Sequence, residues 1–165
     1  MTARLKLPDR IALGAAYSLP RARILADVTY TLWSFNDELS FQFSPGTPSS
    51  TQKNAWRDTL AVRVGGEYDV SRMVTLRAGA FVDGLNHPAA PPENLAPSAP
   101  DMTRVGGSVG AGFQVTKSFA ADVFYSFFAL VERTSTSADA TLATYGGSAH
   151  IFGVGIRFAW DPSGS

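Results

Sequence analysis

The sequence predicts an all-β protein, a transmembrane antiparallel β-barrel wall of about seven long strands in meander order. Three observations carry that prediction. Seven segments alternate apolar and polar residues at period two for ten or more positions, and a strand sends alternate side chains to opposite faces. Tight turns alternate with long Pro/Ser/Ala-rich connections, as in membrane barrels. No stretch approaches the roughly 18 to 20 unbroken apolar residues of a spanning helix, so any crossing must be made by strands.

The first segment, from about Leu5 to Tyr17, sets Ile11, Leu13, Ala15 and Tyr17 against Arg10, Ala12, Gly14 and Ser18, and ends in a turn preset by Pro20. The second sets Ile24, Ala26, Val28, Tyr30 and Leu32 against Asp27, Thr29, Thr31 and Trp33. Its alternation continues through Leu39, Phe41 and Phe43, which predicts a hairpin standing above the membrane before Pro45, Gly46 and Pro48 break it. In the third, Trp56, Leu60, Val62, Val64 and Tyr68 oppose Arg57, Thr59, Arg63 and Glu67. The fourth sets Val74, Leu76, Ala78, Ala80 and Val82 against Thr75, Arg77, Gly79, Phe81 and Asp83. Pro88, Pro91, Pro92, Pro97 and Pro100 then mark a loop, because proline cannot donate to a ladder.

The fifth segment, Arg104 to Val115, opposes Val105, Val109, Ala111, Phe113 and Val115 to a face of Arg104, glycines, Ser108 and Gln114. The sixth, Phe119 to Arg133, sends Phe119, Ala121, Val123, Tyr125 and Phe127 one way, and Asp122, Phe124, Ser126, Phe128 and Glu132 the other. The seventh opposes Phe152, Val154, Ile156, Phe158 and Trp160 to Gly153, Gly155 and Arg157. Residues 1–160 form one β-barrel segment and residues 161–165 a loose tail. Short turns near 18, 70 and 117 belong to the periplasmic side, and long connections near 46, 92 and 140 to the outside.

A soluble antiparallel domain also alternates, but its strands average about five to six residues, whereas these have bilayer-crossing length. Aromatic residues gather near segment ends on the apolar face, in the manner of interfacial girdles. Arg10, Asp27, Arg63, Glu67, Arg77, Asp122 and Arg157 all fall on the opposite face. A lipid-facing Arg or Lys at mid-membrane costs about 2 to 4 kcal/mol, so their exclusion is informative. Asp58, on the apolar parity of the third segment, is the exception and lies near the outer end. The face patterning predicts the outer membrane of a Gram-negative-type bacterium, with outer-membrane lipid as one partner.

The 165 residues carry no cysteine and a formal net charge of zero. Balanced charge excludes a nucleic-acid partner as the expected one. Met1 to Pro8 has no apolar core or cleavage site of a secretory signal, so an exported barrel with this beginning reads as incomplete. No catalytic constellation is visible, His87 and His150 are isolated, and neither a metal nor a cofactor is expected.

The strings LKLPDRIALGAAYSLP (5–20), ILADVTYTLWSFNDELSFQF (24–43), NAWRDTLAVRVGGEYDVS (54–71), VTLRAGAFVD (74–83), FAADVFYSFF (119–128) and SAHIFGVGIRF (148–158) together resemble the C-terminal half of the FadL/TodX family of outer-membrane transport proteins. The resemblance implies a fourteen-stranded barrel that takes up long-chain fatty acids or other hydrophobic molecules, such as aromatic hydrocarbons, without an energy source. It also implies an N-terminal hatch and a lateral opening at an early strand, neither of which has a counterpart in these segments. Seven strands are then half of a channel, completed by a missing N-terminal half or by a second copy. Gly155, Phe158 and Trp160 resemble a terminal signal for the barrel-assembly machinery.

Trp33, Phe81, Phe124, Phe128 and Leu130 place apolar surface among charges on the polar face. A fatty acid needs greasy contact for its tail, worth about 25 cal/mol per Å² buried, and a cation for its carboxylate. Arg63, Arg77, Arg104 and Arg157 are the candidate cations. The alternative is that these arginines pair with Asp27, Glu67, Asp83 and Asp122 and stiffen the wall. The functional expectation is a passive channel, not an enzyme. The alternatives are a small self-closed barrel with an anchoring role and a soluble lipid-binding barrel.

Overall fold

The chain is represented by a computed structural model that describes residues 2–4, 7–35, 38–42, 50–53, 55–92, 101–136 and 143–160, and these described residues form ten strands and one 3-10 turn. The predicted tail (161–165), Pro97, Pro100 and the middles of the first and third long connections lie outside the described residues.

Seven strands form one antiparallel meander: β2 (Asp9–Ser18), β3 (Ala22–Leu32), β6 (Thr59–Asp69), β7 (Val74–Asp83), β8 (Arg104–Gln114), β9 (Phe119–Thr134) and β10 (Thr144–Phe158). Each pairs with the next, and β2 and β10 are left as edges, so the sheet is open. The predicted seven long strands are thus present, with their ends adjusted. The second segment stops at Leu32, where the 3-10 turn Trp33–Phe35 interrupts it. The continuation forms a separate three-stranded sheet of β1 (Thr2–Arg4), β4 (Glu38–Gln42) and β5 (Ser50–Lys53). The last strand begins at Thr144, well before the predicted alternation, with an irregularity between Tyr145 and Gly147. No described helix is long and apolar enough to cross a membrane.

Register fixes which residues share a face. One row across the sheet reads Leu13, Val28, Val62, Val82, Val105 and Ala129. Another reads Tyr17, Ile24, Gly66, Ala78, Val109, Tyr125 and Phe152. Leu13 is 79% exposed and Phe152 76%, and most of the large apolar side chains of this face are open in the same way. Such a contiguous apolar surface is far beyond what a water-facing domain carries, and lipid is the environment that suits it.

Short turns join one end of the sheet. Leu19 N–H donates to Ala22 O at 2.7 Å, Ser71 Oγ accepts from the N–H groups of Met73 and Val74 at 3.1 Å, and Thr116 Oγ1 accepts from Phe119 N–H at 3.1 Å. Arg21 ties the first turn to the second: Nε donates to Asp69 O at 3.0 Å, another nitrogen donates to Val70 O, and the guanidinium lies 5.6 Å from the Tyr68 ring centroid.

At the other end, the connection between β7 and β8 returns over the charged face. Gly84, at φ +76°, starts the reversal, and its carbonyl accepts from Thr103 Oγ1 at 2.9 Å. The loop is then anchored on both sides of the strands it crosses, because Arg57 N–H donates to Ala89 O and Thr136 N–H to Pro92 O. Ala89, Ala90, Pro91 and Met102 are buried as a result, and they form most of the small described core.

Candidate functional site

The charged face carries a ladder of ion pairs. Arg63 Nη1 donates to Asp27 Oδ1 at 2.9 Å and to Thr29 Oγ1 at 3.3 Å, and Arg104 Nη2 donates to Asp83 Oδ2 at 2.8 Å. Arg77 reaches Asp122 Oδ1 at 2.7 Å and Glu67 Oε2 at 3.5 Å, while Arg157 stands 4.0 Å from the other oxygen of Asp122. The pairs join four of the arginines and four of the carboxylates that alternation puts on this face. All are well exposed, so each contributes roughly 0 to 1 kcal/mol, and their main effect is on the field of the face. Gly112 makes room for one of them: a Cβ there would sit 2.8 Å from Asp122 Oδ1 and 3.0 Å from Arg77 Nη1.

Between the charges lies an aromatic patch. The row Asp27, Arg63, Phe81, Gly106, Phe128 places two phenylalanines on either side of a glycine. A Cβ on Gly106 would meet Phe81 Cε1 and Phe128 Cβ at 2.7 Å, so both side chains lean over bare backbone. Phe124 lies over Gly153 in the same manner. Leu130 sits opposite Arg104, one row nearer the long connections.

Trp33 occupies the 3-10 turn beyond β3 rather than the strand, and its ring meets Trp56 edge-on at 5.1 Å. Beside it is a polar cavity of about 180 Å³, roofed by Gly84, Pro88, Ala89 and Met102 and walled by Arg10, Arg63 and Arg104. Asp58 lies outside β6 and caps this corner: its carboxylate accepts from Ser34 N–H at 2.9 Å and from the Tyr30 hydroxyl at 3.0 Å. Those bonds, Ser34 foremost, hold its pKa below the ordinary aspartate value. The parity exception in the sequence is therefore a satisfied loop carboxylate.

The comparisons with known proteins agree with this geometry. The sequence profile of a family described as outer membrane protein transport protein (OMPP1/FadL/TodX) matches residues 1–160. The chain belongs to this family. It is 26% identical over 153 residues to the 47 kDa outer membrane protein of Pasteurella multocida, covering 93% of this chain and 32% of that protein. It is 25% identical to outer membrane protein P1 of Haemophilus influenzae, covering 94% and 36%. A crystal structure of a Pseudomonas aeruginosa FadL homologue superposes with a TM-score of 0.81 at 25% identity, over 94% of this chain and 36% of that one. The chain thus spans about a third of the length of these relatives. Membership places the OMPP1/FadL/TodX chain in the outer membrane, in a family of transport proteins.

Within this FadL-like wall, Trp33, Arg63 and Arg104 come together at the cavity, with Phe81, Phe128 and Leu130 on the adjoining rows. Arg77, Phe124 and Arg157 belong to the short-turn end and do not reach it. Sequence reasoning passed over Arg10 as a site residue, although it placed Arg10 on the polar face. It also had no signal for the loop that roofs the cavity, because proline content marks a loop without saying where it folds. No group of His, Asp or Glu fit to hold a metal occurs among the described residues.

Proposed function

We propose that this chain forms part of the wall of an outer-membrane passage for hydrophobic compounds, long-chain fatty acids among them, which cross by binding and diffusion with no chemical step. The observation that carries it is the Phe81 and Phe128 patch over Gly106, set within an ionic ladder on the face turned away from lipid. A merely structural lumen needs charges and water. Exposed aromatic surface there gives a greasy solute somewhere to dwell.

In this proposal the short turns face the periplasm and the roofed cavity opens to the outside. The strands supply half of a fourteen-stranded barrel. Open edges at β2 and β10 support that view, since each unpaired backbone group in lipid costs several kcal/mol. Their partner is the remaining half of the barrel or, failing that, a second copy. Gly155, Phe158 and Trp160 present the closing strand to the assembly machinery, and Phe158 and Trp160 are exposed for that contact.

Deleting the gene from its host tests the function. Uptake of labelled palmitate should fall several-fold and return on complementation. Unchanged uptake of both palmitate and a labelled aromatic hydrocarbon would contradict the transport reading.

A further inference from the structure

The geometry points to a seat for one anionic phospholipid on the lipid face of the wall, in the leaflet on the short-turn side. An apolar groove across β3, β6, β7 and β8 takes an acyl chain, and Arg21 at its mouth takes the phosphate. The seat lies on the opposite face from the passage and does not depend on what is transported.

Residues that register puts on one face shape the groove, which has a volume of about 510 Å³. Gly66 and Ala78, paired across β6 and β7, form its floor. Ile24 and Val109 stand on either side of them in the same row, and Tyr68 and Leu76 wall the row nearer the short turns. Arg23, Glu67 and Arg77 alternate with these residues and belong to the other face, where Arg77 and Glu67 pair, so the groove keeps an apolar lining. Strands flank β6 and β7 on both sides, which sets the groove inside the sheet, away from the open edges β2 and β10.

A fixed cation marks the mouth of the groove. Tyr68 is both one of its walls and the ring against which the Arg21 guanidinium lies, 5.6 Å from the centroid. Nε donates to Asp69 O at 3.0 Å and another nitrogen to Val70 O, which uses two of the five N–H groups of an arginine. Both acceptors are carbonyls, so the bonds hold the guanidinium in place without cancelling its charge. Arg21 also borders a second hollow of about 590 Å³, together with Arg72, Ser71 and Asp69. Asp69 is the one carboxylate of that lining and is engaged by Thr75, whose Oγ1 donates to it at 2.6 Å, so two arginines set the sign of this corner.

An apolar groove alone takes any hydrocarbon, and a cation alone takes any anion. Here the two meet at Tyr68, an aromatic of the interfacial girdle, and the groove runs from it toward mid-membrane, where Ala80 and Gly107 continue the low floor one row further from the turns. The occupant that satisfies both ends has its charge at the membrane surface and its chain in the hydrocarbon. A diacyl phospholipid with a net negative headgroup has that shape, and arginines beside a membrane surface attract such headgroups.

The test adds dioleoyl phosphatidylglycerol or dioleoyl phosphatidylcholine to the full chain, purified from outer membranes in detergent, and counts lipid adducts by native mass spectrometry. One phosphatidylglycerol should be retained at about fivefold lower concentration than phosphatidylcholine, the margin of one arginine at an anionic headgroup. Inorganic phosphate in excess should not displace it. Arg21→Gln should abolish the preference, Arg21→Lys should keep part of it, and Arg72→Gln, which leaves the Arg21 tie intact, should reduce it. Ala78→Phe fills the floor of the groove and should weaken retention of both lipids while keeping their ratio. Lys117→Gln, a cation on the third short turn, reports a general charge effect and should leave the ratio intact. Equal retention of the two lipids, an unchanged ratio in Arg21→Gln, or retention indifferent to Ala78→Phe would overturn the proposal. Displacement by inorganic phosphate, or a dimer in place of the lipid adduct, would overturn it as well.

Discussion

The two ends of the charged face differ in how their arginines are answered. At the short-turn end Arg77 lies between Glu67 and Asp122, and Asp122 also faces Arg157, so two cations share two anions in one cluster across four strands. At the long-loop end the pairs are single, Arg10 stands outside them, and a loop anchored at Arg57 and Thr136 closes over the space. The first arrangement is a self-neutralised wall. The second is a cavity with donors to spare, and the aromatic patch lies between them.

The largest effect is expected where the two ends join. In Gly106→Val the new Cβ meets the Phe127 carbonyl at 2.6 Å, so the backbone of β8 or β9 must shift. Overpacking of this kind costs about 1 to 3 kcal/mol. The urea midpoint of the detergent-purified chain should fall accordingly. An unchanged midpoint would show that the phenylalanines do not lean on this glycine.

Next is Gly84→Val, which removes the residue whose φ of +76° turns the loop back over the face. A β-branched residue in that region is strained by roughly 1 to 2 kcal/mol. Trp33 should become more accessible to acrylamide while the ion cluster at the short-turn end is untouched. Equal accessibility in the two proteins would dissociate the roof from Gly84.

Asp122→Asn breaks the comparison from the other side. It leaves Arg77 with Glu67 alone and Arg157 without its partner, and stability should change by no more than about 1 kcal/mol because the Asp122 side chain is 32% exposed and its arginines are more so. Arg157 should then react faster with phenylglyoxal, while Arg63 and Arg104, still paired, react as before. An unchanged rate at Arg157 would mean that matched charge is not what distinguishes the ends.

The smallest effect is acidic. Asp58 has its pKa held below the ordinary aspartate value by Ser34 and Tyr30. Its contribution to the Trp33–Trp56 corner is therefore complete above that ordinary value, near pH 4, and is lost as pH falls through the lowered one. Near-ultraviolet circular dichroism of the edge-on tryptophan pair should stay constant down to about pH 4 and fade below it. In Asp58→Asn the signal should be weak at every pH.

Face membership was readable in the sequence because alternation in a strand is a consequence of backbone geometry, and no packing is needed to see it. Ile11 to Tyr17 against Arg10 to Ser18 is enough to divide lipid from lumen, and Leu13, Val28, Val62 and Val82 do line up in one row. Strand ends were less readable. Alternation runs through Leu39 and Phe41, but β3 stops at Leu32 and the rest joins another sheet, since alternate residues say nothing about which strand they pair with. Pairing within the site needed register as well. Arg10 and Arg63 look alike in sequence, and only the placement of Asp27 opposite Arg63 separates a matched cation from an open one. The loop return depends on a positive φ at Gly84 and on anchors at Arg57 and Thr136, which lie far away along the chain.

Single-cysteine labelling tests the assignment of faces, on which the two ends of the passage both depend. The chain has no cysteine of its own, so each substitution reports one position. In intact outer membranes, cysteines at Leu13, Val28 and Val154 should resist a membrane-impermeant maleimide and be quenched by lipid-borne nitroxide. Cysteines at Ser108 and Ser126 should react with the maleimide and escape the quencher. Rapid labelling at Leu13 and Val154, or lipid quenching at Ser108 and Ser126, would contradict the wall described.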